Sequence, residues 1–255
     1  HNRVRRQRQM CIRDRFDPTG KEVSYFDEDV KCIGKAFISN NEKKLPAVLV
    51  AHTWKGRSEF EDKKALELSK LGYVGFSIDL FGNKKNGSSV EENQGLIEPF
   101  VADRNLLRQR ILSAVEFISN QTYVDATKIG LIGFCFGGMA VIEAARSGQH
   151  LSGIVSFHGL LQKSDLPINK INTQLLICHG DKDPMVSRED VSNFVQEMDA
   201  SNANWELISY GNAMHAFTNP DANDKDFGTV YDEQADKRSW NSMKDFFERV
   251  FENEG

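Results

Sequence analysis

The sequence predicts an α/β fold: one domain on a mostly parallel central sheet, with helices on both faces and an antiparallel hairpin at the N-terminal end. Two patterns carry that expectation. Short, largely apolar segments at residues 45–51, 73–79, 128–132, 151–157, 174–178 and 205–210 read as strands, the continuous apolar run at 45–51 as one covered on both faces. Between them lie segments whose apolar residues recur at helical spacing, and strands alternating with helices make a parallel sheet between helix layers. Composition agrees: 255 residues, 40% hydrophobic and 27% charged, suffice for one core and argue against wholesale disorder.

The elements follow in order. Residues 1–15 hold six arginines against one acid, Asp14, and the string Met10-Cys11-Ile12-Arg13-Asp14 resembles a translated library-adaptor sequence. They are set aside as a non-native, disordered tail, and residues 16–255 are read as the domain. Residues 23–25 and 31–38 form a hairpin around the acidic turn Asp27-Glu28-Asp29. A polar turn at 40–44 leads into the strand at 45–51. Residues 58–71 read as a helix, with Ser58 as N-cap, Glu61 at the capping-box position and Gly72 as its stop. The strand at 73–79 gives way to a polar loop over 80–95. Leu106, Leu107, Ile111, Ala114, Val115 and Ile118 then predict one long amphipathic helix over 99–120. Helices at 139–145, 189–199 and 233–251 alternate with the remaining strands, and neither a repeat nor a linker interrupts them.

Charge and cysteine usage narrow the function. A net charge of −5 argues against a nucleic-acid surface, and no apolar stretch approaches the roughly 18 residues that cross a membrane. Cys11, Cys32, Cys135 and Cys178 have neither metal-type spacing nor the density of a disulfide framework. The expectation is a cytoplasmic protein without cofactor or metal, a monomer or small homo-oligomer acting on a small molecule.

The most telling segment is Gly133-Phe134-Cys135-Phe136-Gly137-Gly138, which follows a strand and opens a helix. It is a nucleophile elbow of the form G-x-C-x-G. Glycines flank the nucleophile because neighbouring chain passes too close for a side chain. The amides of the following helix favour negative charge developing on the sulfur. Two further strand ends supply partners: His179-Gly180-Asp181-Lys182-Asp183-Pro184 after one, and Gly211-Asn212-Ala213-Met214-His215 after the next. The order nucleophile, acid, histidine suits a Cys135, Asp183, His215 triad gathered at the carboxyl edge of the sheet. His215 would move the protons and Asp183 would fix its tautomer. Asp181 competes for the acid role; Asp183 is preferred because Pro184 stiffens the loop after it.

With Ala51-His52-Thr53-Trp54-Lys55-Gly56, Gly72-Tyr73-Val74, Asp79-Leu80-Phe81-Gly82 and His215-Ala216-Phe217, these segments resemble the dienelactone hydrolase family from about residue 25 to residue 251. The resemblance implies a single α/β-hydrolase domain, no cofactor, and thiolate attack on a small ester or lactone. It implies an oxyanion hole from the backbone N–H groups of Phe136 and Trp54, with His52, Thr53, Phe81, Arg104, His158 and Phe217 near the substrate. Two departures stand out. Thr53 occupies the place of a glutamate that holds the resting thiol in the best-studied members. The arginine that clamps a substrate carboxylate after the histidine is replaced by Ala216-Phe217-Thr218, with only Arg104 or Arg108 left to reach in. An uncharged ester or lactone is therefore expected. Acyl transfer or thioester cleavage on the same site, and a binding or redox-sensing protein that has lost turnover, are the alternatives.

Overall fold

In the computed structural model the described residues are 20–39, 43–167 and 170–252. The expected tail and part of the polar turn at 40–44 lie outside them. Eight strands form the central sheet: β1 (Lys21–Asp27), β2 (Val30–Ile38), β3 (Leu45–Ala51), β4 (Val74–Ser77), β5 (Val124–Phe134), β6 (Gly153–Phe157), β7 (Gln174–Gly180) and β8 (Trp205–Tyr210). Their order is β1-β2-β4-β3-β5-β6-β7-β8. β1 pairs antiparallel with β2 and β2 antiparallel with β4, while every later pairing is parallel. The expected hairpin thus forms the edge, turning at Glu28 and Asp29.

Six helices cover the sheet: α1 (Glu59–Lys70), α2 (Val90–Ala102), α3 (Arg104–Ser119), α4 (Phe136–Arg146), α5 (Arg188–Ala200) and α6 (Glu233–Glu252). Alternation along β3 shows how two cores arise from one apolar run. Ala47, Leu49 and Ala51 pack in one cluster with Leu107 and Ile111 of α3, Val141 of α4 and Phe194 of α5. Val48 and Val50 face the other way, into a cluster with Leu68 of α1 and Met243, Phe246 and Phe247 of α6. Successive side chains of a strand point to opposite faces, so an unbroken apolar strand is what a sheet buried on both sides requires.

Ser58 caps α1 as its sequence suggests: its side chain accepts the Phe60 N–H, and the reciprocal capping box with Glu61 is closed. The long helix expected over 99–120 is instead two. Asp103 sits in extended backbone between α2 and α3, and its carboxylate caps α3 by accepting the Asn105 and Leu106 N–H groups. Pro99 falls inside α2, whose true start is capped by Ser89 through the Glu92 N–H. The Ser89-x-x-Glu92 spacing is a start signal that the polar run around it masks. A second small sheet, β9 (Asn223–Asp224) with β10 (Thr229–Val230), was not expected.

Register places the site. Ala51 pairs with Gly133, Phe134 with Phe157, and Gly180 with Tyr210. Strands β3, β5, β6, β7 and β8 therefore end on one edge, and the residues that follow each are brought together there.

Candidate active site

Cys135 occupies the turn between β5 and α4 with φ 56° and ψ −117°. Positive φ costs a residue with a Cβ on the order of 1–3 kcal/mol, and the surroundings must hold it. They do so by contact: a Cβ on Gly133 would lie 2.0 Å from the Gly137 oxygen, and one on Gly137 would lie 2.3 Å from the Ala51 oxygen. The same approach sets the start of α4 against the loop that follows β3. Cys135 donates its own N–H to the Phe157 oxygen at 3.1 Å. It is the N-cap of α4 yet makes no side-chain cap, so the Phe136 N–H, first of the helix, keeps no intrahelical acceptor.

Cys135 is half-buried, while Cys32 and Cys178 are buried. Burial pushes Cys32 up to about 11 and Cys178 up to about 12, which keeps both as inert thiols.

His215 is held by the β9–β10 hairpin. Its N–H donates to the Gly228 oxygen at 3.0 Å, and its own oxygen accepts the Val230 N–H at 3.0 Å. Gly228, at φ +81°, rests on Pro184, and a Cβ there would come within 2.1 Å of the proline ring. The hairpin is thus seated on the residue that follows Asp183. The His215 Nδ1 hydrogen donates to Asp183 Oδ2 at 2.7 Å, and the other carboxylate oxygen accepts the Met185 N–H at 2.8 Å. Asp181 is turned outward to Arg188 at 2.8 Å. Among the described residues the buried His215 Nε2 makes no closed hydrogen bond. Burial alone would lower the ring's affinity for protons, but the Cys135 sulfur and the Asp183 carboxylate outweigh it and raise His215 to about 10.

His158, at the end of β6, is buried with its Nε2 bonded to Thr218 Oγ1 at 2.8 Å. Its ring meets that of His215 edge-on at 5.2 Å. Burial first, then the charge of His215, hold its proton affinity well below the ordinary value, so it stays neutral beneath the histidine it supports.

The sequence profile of the dienelactone hydrolase family matches residues 34–251. The chain belongs to the dienelactone hydrolase family. It is a hydrolase acting on ester or lactone bonds. An uncharacterized protein of Caenorhabditis elegans is 37% identical over 159 residues, 59% of this chain and 98% of that one. A probable 2-oxo-3-(5-oxofuran-2-ylidene)propanoate lactonase of Bradyrhizobium sp is 28% identical over 78% of this chain and 82% of its own. The crystal structure of a dienelactone hydrolase-like promiscuous phosphotriesterase from metagenomic libraries superposes with a TM-score of 0.87 at 31% identity, covering 91% of this chain and 98% of that one.

Within this dienelactone hydrolase fold the remaining expected residues divide. Thr53 and Trp54 lie half-buried in the loop after β3. Phe81 packs edge-on against His52, with ring centres 4.6 Å apart. His52 and Phe217 have no exposed surface. Phe217 belongs to the core beside Tyr210 and buttresses His158 at 5.1 Å, so it acts from behind the site. Arg108 is spoken for by Glu143 at 2.8 Å. Arg104 is buried with a guanidinium N–H on the Met139 sulfur, and it lines a cavity of about 440 Å³ with Asn105, Lys163 and Leu166, whose lining includes none of the three residues of the expected triad. Two residues went unread. Phe227 stacks on Trp54 at 5.7 Å although 42% exposed. Glu61, read only as a cap, also accepts the Thr53 N–H at 3.3 Å.

Among the described residues no group of three or more histidines, cysteines and carboxylates has the arrangement of a metal site, and no helix is long and apolar enough to cross a membrane.

Proposed function

We propose that the protein hydrolyses a small, uncharged ester or lactone through a thioester on Cys135, with His215 as acid and base and Asp183 as its anchor. The observation that carries this reading is the His215 ring bonded through Nδ1 to Asp183, with Cys135 presented at the strained turn into α4; burial lowers the ring's proton affinity, and the Cys135 sulfur and Asp183 outweigh it. The thiolate attacks the carbonyl carbon, a C–S bond forms, and the carbonyl electron pair moves onto oxygen. The oxyanion is met by the N–H groups of Phe136 and Trp54. Collapse expels the alkoxide, which takes the His215 proton; in a lactone it stays tethered to the acyl group. Neutral His215 then removes a proton from water, which attacks the thioester and releases the thiolate.

Occupancy supports an uncharged substrate: Arg108 is paired to Glu143, Arg104 is buried on the Met139 sulfur, and after His215 come Ala216, a core phenylalanine and the Thr218 hydroxyl that bonds His158. The Bradyrhizobium relative is named for a lactone; what is carried over is the bond class, not that compound. A nucleophilic thiol works best where thiols stay reduced, so we assign the enzyme to the cytoplasm. Mixing the protein with p-nitrophenyl acetate, quenching in acid and mapping the adduct by mass spectrometry tests the reading. The acetyl group is expected on Cys135; a turning-over enzyme with that cysteine unmodified at every time point overturns it.

A further inference from the structure

The thioester chemistry above asks for a Trp54 N–H aimed at the oxyanion, and the loop after β3 contains the means of aiming it. The Thr53 backbone is claimed at both ends. Its N–H donates to Glu61 Oε1 at 3.3 Å, while its C=O accepts from His52 Nδ1 at 2.7 Å and from the Gly56 N–H at 3.3 Å. A carbonyl can only accept, so the His52 proton sits on Nδ1. On the far side of the ring, Nε2 accepts the Leu80 N–H at 3.0 Å and must be bare. Both nitrogens are committed, which fixes a single neutral tautomer. Burial, the largest influence on this ring, lowers it to about 4, so the arrangement persists through the neutral range.

The geometry of the peptide unit turns this wiring into aim. In a trans peptide the C=O of Thr53 and the N–H of Trp54 point in opposite directions. Holding the oxygen on His52 therefore turns the N–H away from the ring. The Ala51 and His52 carbonyls meanwhile lie against Gly137 at the start of α4. We infer that His52 is a positioning residue: resting on the Cys135 reading, its Nδ1–H holds the Thr53–Trp54 peptide with the Trp54 N–H facing the acyl group on Cys135. Shape alone is the rival account, because the ring also packs against Phe81 and within 6.3 Å of Phe136. A benzene ring would pack as well. What only an imidazole supplies here is a donor to Thr53 and an acceptor for Leu80.

Two variants separate these. In His52→Asn the amide nitrogen stands where Nδ1 stood and keeps the donor to Thr53. In His52→Gln the amide reaches the Nε2 position, keeping the acceptor for Leu80 and losing the donor. Loss of an oxyanion-hole donor costs on the order of 10²–10³ in kcat. Misaiming one should lower kcat of His52→Gln about 10- to 100-fold at unchanged KM, with His52→Asn recovering most of it. Iodoacetamide alkylation of Cys135 develops no oxyanion and should keep its native rate in both. Equal kcat values in the two variants, native or impaired, would overturn the inference, as would alkylation that slows in step with kcat. Ring ¹⁵N shifts of the unaltered protein give a check that needs no variant: Nδ1 protonated and Nε2 bare is expected, and an Nε2–H tautomer overturns the assignment. If acyl trapping instead fails to mark Cys135, the hydrolytic mechanism falls while the tautomer is still read directly, so the two failures are told apart.

Discussion

The elbow that carries Cys135 and the loop that carries Trp54 lie against each other, yet they are held by opposite means. The elbow is fixed by exclusion. Gly133 and Gly137 let main chain approach within distances no Cβ permits, and Cys135 is left in a positive-φ conformation with its amide tied to Phe157. The loop is fixed by attachment at one residue, Thr53, whose C=O accepts from His52 and Gly56 and whose N–H donates to Glu61. Steric exclusion is intolerant of any substitution at its contact. A hydrogen-bonded loop keeps its fold when one bond is lost but loses its aim.

The sharpest break in that comparison is at the sulfur. Cys135→Ala should reduce ester turnover to background while the melting temperature holds or rises, because the elbow accepts a methyl group. The same variant removes the sulfur that raises His215, so the ring's titration midpoint should fall from about 10, as followed by the imidazole proton resonances. Next, Asp183→Asn should lower kcat by about 10³- to 10⁴-fold, the scale of a misplaced tautomer. Asp181→Asn, which disturbs only an outward pair with Arg188, should stay near the native rate; equal losses would reassign the acid. Gly137→Ala pushes a Cβ into the Ala51 carbonyl and strikes both regions at once, so a loss of about 3 kcal/mol in urea unfolding is expected. A native-like value would show that the elbow and the loop are not in register as described. Ser58→Ala is the mildest: it opens the capping box beside Glu61 and should cost about 1 kcal/mol. Should kcat fall by more than stability explains, Glu61 depends on Ser58 for its reach to Thr53.

These contrasts also explain what the chain discloses in one dimension. The elbow is legible because its requirement is local: glycines two residues either side of the cysteine, after an apolar strand and before a helix. The inner strands are legible because burial on both faces keeps them largely apolar, as in β3, while β8 at the edge is half-exposed and carries Glu206 and Ser209. Asp183 stands next to His215 and Asp181 does not, a distinction that depends on the path of a turn and not on residue type. The break at Asp103 was hidden because helical spacing of apolar residues continues across it, and only the Asp103 cap reveals two helices. Glu61 has two jobs, and the capping box accounts for one so well that nothing in the sequence asks for a second. Phe227 sits between Asp226 and Gly228, in surroundings that read as ordinary polar loop.

The β9–β10 hairpin couples things that are usually adjusted separately. Its Phe227 lies flat on Trp54 of the opposite loop, while its backbone, three residues on, carries one of the bonds that hold His215. The stack and the bonds to His215 therefore share one short ribbon. Shortening the Phe227 side chain would remove the ring stack and leave the backbone bonds to His215 in place, so the two attachments can be separated.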